Sequence, residues 1–386
     1  TNPSQGDYAS IGVTGVSSTE AANLLGDAID GKATADVDTV QQVQDLANAA
    51  TAVLAGTATV AQLQLLGLDT SAITNAAQLA SVQAALAAKP DASIDSLSEV
   101  QSAINAALQS LAKIQAYADN ASNPAPDATD YANIGVSGIG GAGQPSLSTI
   151  NDAINAQAGS DSVVGNANDR DGADTRAEVQ AIVDAYQRIL SAADGNATNN
   201  TQGTAAEPSA TDYAKVGVTG VTTDSAKLLS DAIDNLASGA VDTVGEIQTL
   251  ANAALATVAY TGSNTAPTAN QLNTIAGGSA VTADNLTAVQ NAVAAANNDG
   301  TPVTQAELQS IINAVISANN KIQAYADNSA NPAPTANDYS TAGVNGVSGV
   351  AGVSGNIDAI NSAINAQGGG DGTPGNTDDH VAVDTA

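Results

Sequence analysis

The sequence predicts an all-α protein, a tandem array of small three-helix-bundle modules forming an elongated repeat structure. Three observations carry this reading. A phrase opening on Asp-Tyr recurs four times, as DYASIGVTGV from Asp7, DYANIGVSGI from Asp130, DYAKVGVTGV from Asp212 and DYSTAGVNGV from Asp338. A helix-start signature, Ser/Thr-x-x-Glu/Gln, recurs five times at corresponding places. Apolar residues keep helical spacing among Ala, Gln and Leu, and the β-branched alternation of strands is scarce.

The Asp-Tyr phrases stand 123, 82 and 126 residues apart, so long and short units alternate. The long units divide again. QLQLLGLDTSAITNAAQLASVQAAL from Gln62 and QLNTIAGGSAVTADNLTAVQNAV from Gln271 follow the same plan, with Gln-Leu in place of Asp-Tyr. Six modules result, spanning 1–57, 58–124, 125–203, 204–264, 265–332 and 333–386. The last lacks its third helix. Thr385 stands where that helix would take its N-cap, so the chain reads as a slice of something longer.

Within a module the first helix is a single turn. The Asp is expected at the N-cap, with the Tyr and the following Ile or Val both facing inward. Gly12, Gly135, Gly217 or Gly343 then supplies the left-handed residue past the end. The second helix shows spacings such as Leu147, Ile150 and Ile154, or Leu286, Val289 and Val293, or Ile357, Ile360 and Ile364. The third is the longest. Its capping boxes are Thr39 with Gln42, Ser96 with Glu99, Thr175 with Glu178, Thr243 with Glu246, and Thr304 with Glu307. Downstream, Val100, Ile104, Leu108, Leu111, Ile114 and Tyr117 keep one face apolar, as do Leu308, Ile311, Ile312, Val315, Ile322 and Tyr325. The joint KIQAYADNASNPAPDATDY at 113–131 returns as KIQAYADNSANPAPTANDY at 321–339. Its NPAP is expected to stop the third helix and stiffen an extended coupling, because proline disfavours helix at the residue before it.

Small modules with Ala-rich cores bury little area each, so neighbours must share the work of stabilising them. Net charge is −30, from 39 acidic and 9 basic residues. Nucleic acid and anionic lipid would be repelled, and no apolar run is long enough for a membrane span. Cys, Met, Trp and Phe are absent. Thiol chemistry, disulfides and Cys-ligated metals are thereby excluded, and one histidine, His380, is a poor basis for a catalytic triad. The composition points away from an enzyme. Freedom from oxidisable sulfur suits an extracellular setting.

One loop suggests a ligand. In GNANDRDGADTR at 165–176, Asp169, Asp171 and Asp174 approximate the alternating oxygens of a calcium loop, with Gly172 at the turn. Arg170 sits inside the cluster and a downstream bidentate Glu is missing, which favours a solvated acidic loop or a complement to a helix N-terminus. Calcium stays open as the alternative. GVSGIGGAGQP at 135–145 lacks the Lys-Ser/Thr ending and preceding strand of a phosphate loop and is set aside. The Tyr residues recur at fixed module positions, which favours packing with the hydroxyl reaching a polar group. Sequons occur at Asn120, Asn196, Asn199 and Asn285.

The phrases DYAxxGVTGV, DTxxEVQ and KIQAYADNxxNPAP resemble the tandem helical repeats of very large surface adhesins and biofilm-associated proteins of Gram-negative bacteria, whose modules are similar to GA-like three-helix bundles. The resemblance covers nearly the whole chain. It implies a cell-surface or extracellular stalk whose partners are neighbouring copies of the same repeat, and it transfers no binding residue. A self-assembling subunit of a filament, sheath or surface layer is the alternative, and a GA-type serum-protein binder is a third.

Overall fold

The computed structural model describes residues 2–157, 172–195 and 207–367. It is mostly helical. The chain parts into two compact units, Thr1–Leu190 with Lys215–Gly217, and Ser191–Ala214 with Val218–Ala386.

The first unit runs through α1 (Gln5–Ser10), α2 (Thr19–Asp30), α3 (Val40–Leu54), α4 (Val60–Leu65), α5 (Ala76–Ala87), α6 (Leu97–Asp119), α7 (Ala128–Asn133), α8 (Leu147–Asn155) and α9 (Arg176–Ala192). Short 3-10 turns at Thr34–Asp36 and Asp91–Ser93 lead into α3 and α6. One continuous core joins α1 to α6. Tyr8, Leu24, Leu25, Leu46, Val53, Leu63, Leu66, Val82, Leu86, Ile94, Val100 and Ile104 belong to it. Helices α1 to α6 are thus packed on a shared interior. Each buried Leu or Ile contributes about 1.5–3 kcal/mol, and the many buried Ala let helices approach closely at less gain per residue.

The second unit holds α10 (Ala210–Lys215), α11 (Thr223–Asp234), α12 (Val244–Val258), α13 (Ala269–Ala276), α14 (Leu286–Asn297), α15 (Gln305–Asp327), α16 (Ala336–Thr341) and α17 (Ile357–Asn365). Here α12 packs on α11 and α13, and α15 on α13 and α14. The long helices serve twice. The N-terminal part of α15 lies against α13 and α14, whereas Ala318 and Ile322 near its end share a core with Tyr339, Ala342 and Ile357 of the following elements. α6 does the same in the first unit, packing on α5 and then on α7 and α8.

Ile11, expected to face inward, is 53% exposed although Ile134 and Val216 at the same place are buried, and four further expectations are altered by the structure. First, the Asp of each Asp-Tyr pair is not the N-cap. The caps are Ser4, Asp127 and Thr335, and Asp7, Asp130 and Asp338 stand three residues on, returning a carboxylate to the cap's own N–H at 2.8, 2.8 and 2.6 Å. Ser209 and Asp212 are bonded in the same way at 2.9 Å. These are capping boxes in their own right. Thr59 with Gln62 and Thr268 with Gln271 complete the set, so Gln replaces Asp as the reciprocal acceptor while Leu63 or Leu272 replaces Tyr in the core.

Second, the box at Ser96 and Glu99 is partial. Ser96 Oγ accepts the Glu99 N–H at 3.3 Å and donates to the carboxylate at 2.9 Å, without the returning bond to the Ser96 N–H. The other four third-helix boxes are complete.

Third, asparagine rather than proline ends the long helices. α6 stops at Asp119 because Asn120 turns extended, with φ −162° and ψ 113°, and the Ala116 carbonyl takes two donors, the Asn120 N–H at 3.1 Å and Asn123 Nδ2 at 2.7 Å. Asn328 and Asn331 repeat this on α15, with Asn331 Nδ2 at 2.6 Å from the Ala324 carbonyl. The prolines follow a helix already capped. The chain then folds back, so that α7 lies on α6 and α16 on α15.

Fourth, a two-residue hairpin interrupts the all-helical order. β1 (Gly349–Val350) pairs antiparallel with β2 (Ser354–Gly355) ahead of α17. Gly349 has φ 102°, and a Cβ there would fall 1.8 Å from the Ser354 carbonyl oxygen, so the pairing needs glycine.

Candidate functional site

The polar side chains of the interior are arranged as recurring fastenings between helices. Five of the second helices, α5, α8, α11, α14 and α17, each send one side chain to the carbonyl just before the cap of the preceding first helix. Gln83 donates to the Ala58 carbonyl at 3.0 Å, Asn151 to Pro126 at 2.9 Å, Ser230 to Pro208 at 3.1 Å, Gln290 to Pro267 at 2.8 Å and Asn361 to Pro334 at 3.2 Å. These carbonyls precede the helix and lack a helical donor, so a side-chain donor supplies what the backbone cannot.

Where the first helix carries Tyr, the same side chain also engages the phenol. Tyr131 donates to Asn151 Oδ1 at 2.6 Å, Tyr339 to Asn361 Oδ1 at 2.7 Å, and Tyr213 lies 2.9 Å from Ser230 Oγ. Burial pushes the Tyr339 phenol up to about 12, and those of Tyr131 and Tyr213 further, so all remain neutral donors at physiological pH. Tyr8 breaks the pattern. The equivalent position on α2 is Gly26, and the buried Tyr8 hydroxyl has no hydrogen-bond partner among the described residues. The space beside Gly26 is taken by Asn2, since a Cβ there would lie 2.6 Å from Asn2 Cγ.

A second fastening comes from the third helices. Gln44, Gln101, Gln180 and Gln248, each five residues after its capping Ser or Thr, pair with one loop residue through both amide atoms. The Oε1 accepts the N–H of Thr14, Asp69, Ser137 and Thr219 at 2.8, 2.7, 3.0 and 2.8 Å. The Nε2 donates to the same residues' carbonyls at 2.9, 3.1, 3.1 and 3.1 Å. Each amide mimics one rung of a β-ladder and holds the loop that leaves the first helix. This glutamine stands at a constant five residues from its cap, as in DTxxEVQ, an offset legible in the sequence.

The third fastening closes the joints. Lys113 on α6 meets Asp130 on α7 at 2.5 Å, and Lys321 on α15 meets Asp338 on α16 at 2.5 Å. Ser110 Oγ donates to the other Asp130 oxygen at 3.1 Å. Burial alone would raise the Asp130 and Asp338 carboxyls, but the lysine and backbone hydrogen bonds outweigh it and hold both below the ordinary carboxylate range.

The residues singled out for chemistry are not gathered by the structure. Asp169 and Asp171 lie outside the described residues, as do His380, Asn196 and Asn199. Asp174 precedes the Thr175 cap, and its carbonyl accepts from Gln115 Nε2 at 2.9 Å. Among the described residues no three Asp, Glu or His side chains are grouped to hold a metal ion. Asn285 is buried, with Oδ1 accepting the Thr282 N–H and Nδ2 donating to the Ala280 carbonyl, so its sequon is closed to modification. The glycine-rich loop is turned inward upon itself and α9, Gly140 N–H to the Pro145 carbonyl at 2.8 Å and Arg176 Nη2 to the Gly135 carbonyl at 2.9 Å. An open cleft at Lys32, Asp36, Gln42, Asp45, Leu46 and Leu65 converges no set of reactive groups. No helix among the described residues is long and apolar enough to cross a membrane. Comparison with protein-family models, with curated proteins and with solved structures finds no match to this chain.

Proposed function

We propose that the chain is a non-enzymatic structural repeat region, a stalk or extender of a secreted bacterial surface adhesin or extracellular matrix protein, built of three-helix modules in tandem. The observation that carries this reading is the recurrence of fastenings in one register. Gln83, Asn151, Ser230, Gln290 and Asn361 bind equivalent carbonyls, and Gln44, Gln101, Gln180 and Gln248 bind equivalent loops. Polar side chains engaged in this way hold backbone in place and leave little for chemistry. A net charge of −30 keeps such a chain soluble and away from anionic surfaces.

Solution scattering on the full chain tests the spacer role. A compact globule of 386 residues has a radius of gyration of roughly 21 Å. A spacer gives a clearly larger value, unchanged by millimolar calcium. A radius at the compact value sinks the proposal. The assembly reading, a subunit of an extracellular filament or layer, is favoured by one separate observation, an apolar corner left open on α1 and α3.

A further inference from the structure

Two helices of the second unit closely copy two of the first. α2 reads TEAANLLGDAID and α11 reads TDSAKLLSDAID, while α6 and α15 are each 23 residues long and both end in KIQAYAD. α2 lies against α6, and α11 against α15. Helices so alike are open to exchange of partners, which is a characteristic way for repetitive chains to misassemble.

The copies differ where they meet. At the end of α11, Asn235 Nδ2 donates to Gln305 Oε1 at 2.5 Å, and Gln305 is the first residue of α15. Gln305 is buried, its Nε2 donates to the Ile275 carbonyl of α13 at 2.9 Å, and its N–H faces Asp231 Oδ2 at 3.5 Å. At the matching places in the first unit stand Gly31 and Leu97. A Cβ on Gly31 would meet only the Ala28 and Asp27 carbonyls of its own helix, and Leu97 packs on the apolar core. The polar link has moved. Asn23 Nδ2 on α2 donates to Asp95 Oδ2, just before the cap of α6, at 2.9 Å, and the residues at these two places in the second unit are Lys227 and the buried Val303.

We propose that these junctions select partners, matching α11 to the start of α15 and α2 to the start of α6. With α2 set against α15, the Gln305 oxygen would face Gly31 and the Asn23 amide would face Val303, so two polar groups would lose the bonds they make. Polar groups left unmet in a dry contact weigh against the wrong partner. With α11 set against α6, the Asn235 amide would face Leu97. That exchange is opposed less, because Asn235 Nδ2 also donates to the Asp231 carbonyl at 2.9 Å, and Lys227 is able to meet Asp95. Selection is therefore strongest at the buried Gln305. It serves a spacer and an assembling subunit alike, so its failure leaves both readings standing.

Urea denaturation of the full chain reads the match as coupling between the two sides of each junction. Asn235→Gly alone leaves the Gln305 oxygen without a donor, whereas adding Gln305→Leu removes the unmet group. The double variant is expected to lose less in its midpoint than the two single losses added together. In the first unit Leu97→Gln lowers the midpoint, and Gly31→Asn, which supplies the donor, recovers part of that loss. Strictly additive losses at either junction overturn the match. Selection itself is read as the fraction of chains that regain the native amide-exchange pattern after dilution from urea. Lys227→Asn, Asn235→Gly, Val303→Asp and Gln305→Leu together give α11 and α15 the faces of α2 and α6. This chain is expected to recover about twofold less completely than Val293→Ala, a core variant that leaves both junctions intact. Equal recovery would mean that the junctions stabilise without choosing, and the proposal fails.

Discussion

At the scale of single residues, the buried phenols provide a comparison internal to the chain. Tyr131 and Tyr339 give their hydroxyls to Asn151 and Asn361, whereas the Tyr8 hydroxyl has no partner among the described residues. Replacing Tyr131 or Tyr339 by Phe removes the bond and strips the asparagine of a donor, at a cost of about 1–2 kcal/mol. Tyr8→Phe is expected to be neutral or stabilising, because it removes an unsatisfied buried hydroxyl. Chemical denaturation of the three variants decides the matter, and equal losses in all would refute the reading. Gly26 is the origin of the difference. Ser230 partners Tyr213 at the equivalent position, so Gly26→Ser combined with Asn2→Gly, which clears the space now filled by Asn2, gives Tyr8 a partner and removes a mid-helix glycine. The pair is expected to raise stability by about 1 kcal/mol. That Tyr packs inward was legible from its fixed place in the repeat. Which Tyr lacks a partner was not, because the partner stands 17 to 22 residues away and its match depends on how two helices lie together.

At the scale of elements, the joints combine a cap with an ion pair. Asn123→Ala or Asn331→Ala removes the shorter of the two donors to the Ala116 or Ala324 carbonyl, leaving the Asn120 or Asn328 N–H, and the end of that helix is expected to fray modestly, seen as faster amide exchange over its last turn. The Asp130 and Asp338 carboxyls are held below their unfolded value of about 3.9. Their contribution to stability is therefore complete above that value and lost as pH falls through the lower folded one. The opposite sign holds around α11. Burial raises Asp231 and Glu207, and their mutual repulsion adds to the Glu207 shift, Lys227 opposing both. Burial with the charges of Asp194 and Asp231 raises Asp234. These groups stabilise fully below an unfolded value of about 4 and lose that as pH rises through the raised folded value. Stability is thus expected to climb as pH falls through the raised folded values of these groups and to fall again below the ordinary carboxylate value of about 3.9. Asp231→Asn should flatten the upper limb alone, and a thermal melt series that rises monotonically to pH 8 would contradict this assignment. Capping boxes on the third helices were readable as spacing. The Asn helix ends are masked in the sequence by the prolines of the same joint, a stronger but later stop signal.

At the scale of the whole molecule, charge and packing oppose each other. A chain of −30 with a core rich in Ala folds against considerable self-repulsion. Raising sodium chloride from about 0.05 to 0.5 M shortens the Debye length severalfold and is expected to raise the melting temperature. An unchanged or lower value would show that repulsion contributes little. Packing answers this repulsion by sharing. Tyr8 through Ala107 form one cluster, so a core substitution in α2, such as Leu25→Ala, is expected to cost about 2–5 kcal/mol and to lower the stability of α5 and α6 together with α1 to α3. Amide exchange resolved by segment would report this, and loss confined to α1–α3 would mean that the two modules fold independently.

What the sequence determined by itself is what depends on neighbours along the chain: the helical class, the starts of the third helices, the positive-φ glycines at Gly12, Gly135, Gly217 and Gly343, and the period of the repeat. Helix periodicity, caps and left-handed turns involve residues within a few positions of one another, so composition and spacing suffice to read them. Tertiary structure alone decided that the α6 and α15 helices each serve two packs, and that glutamines after the box hold loops some thirty to forty residues away. Those outcomes depend on which donors and acceptors packing brings within 3 Å, and a repeated phrase records that a residue recurs without recording what it touches.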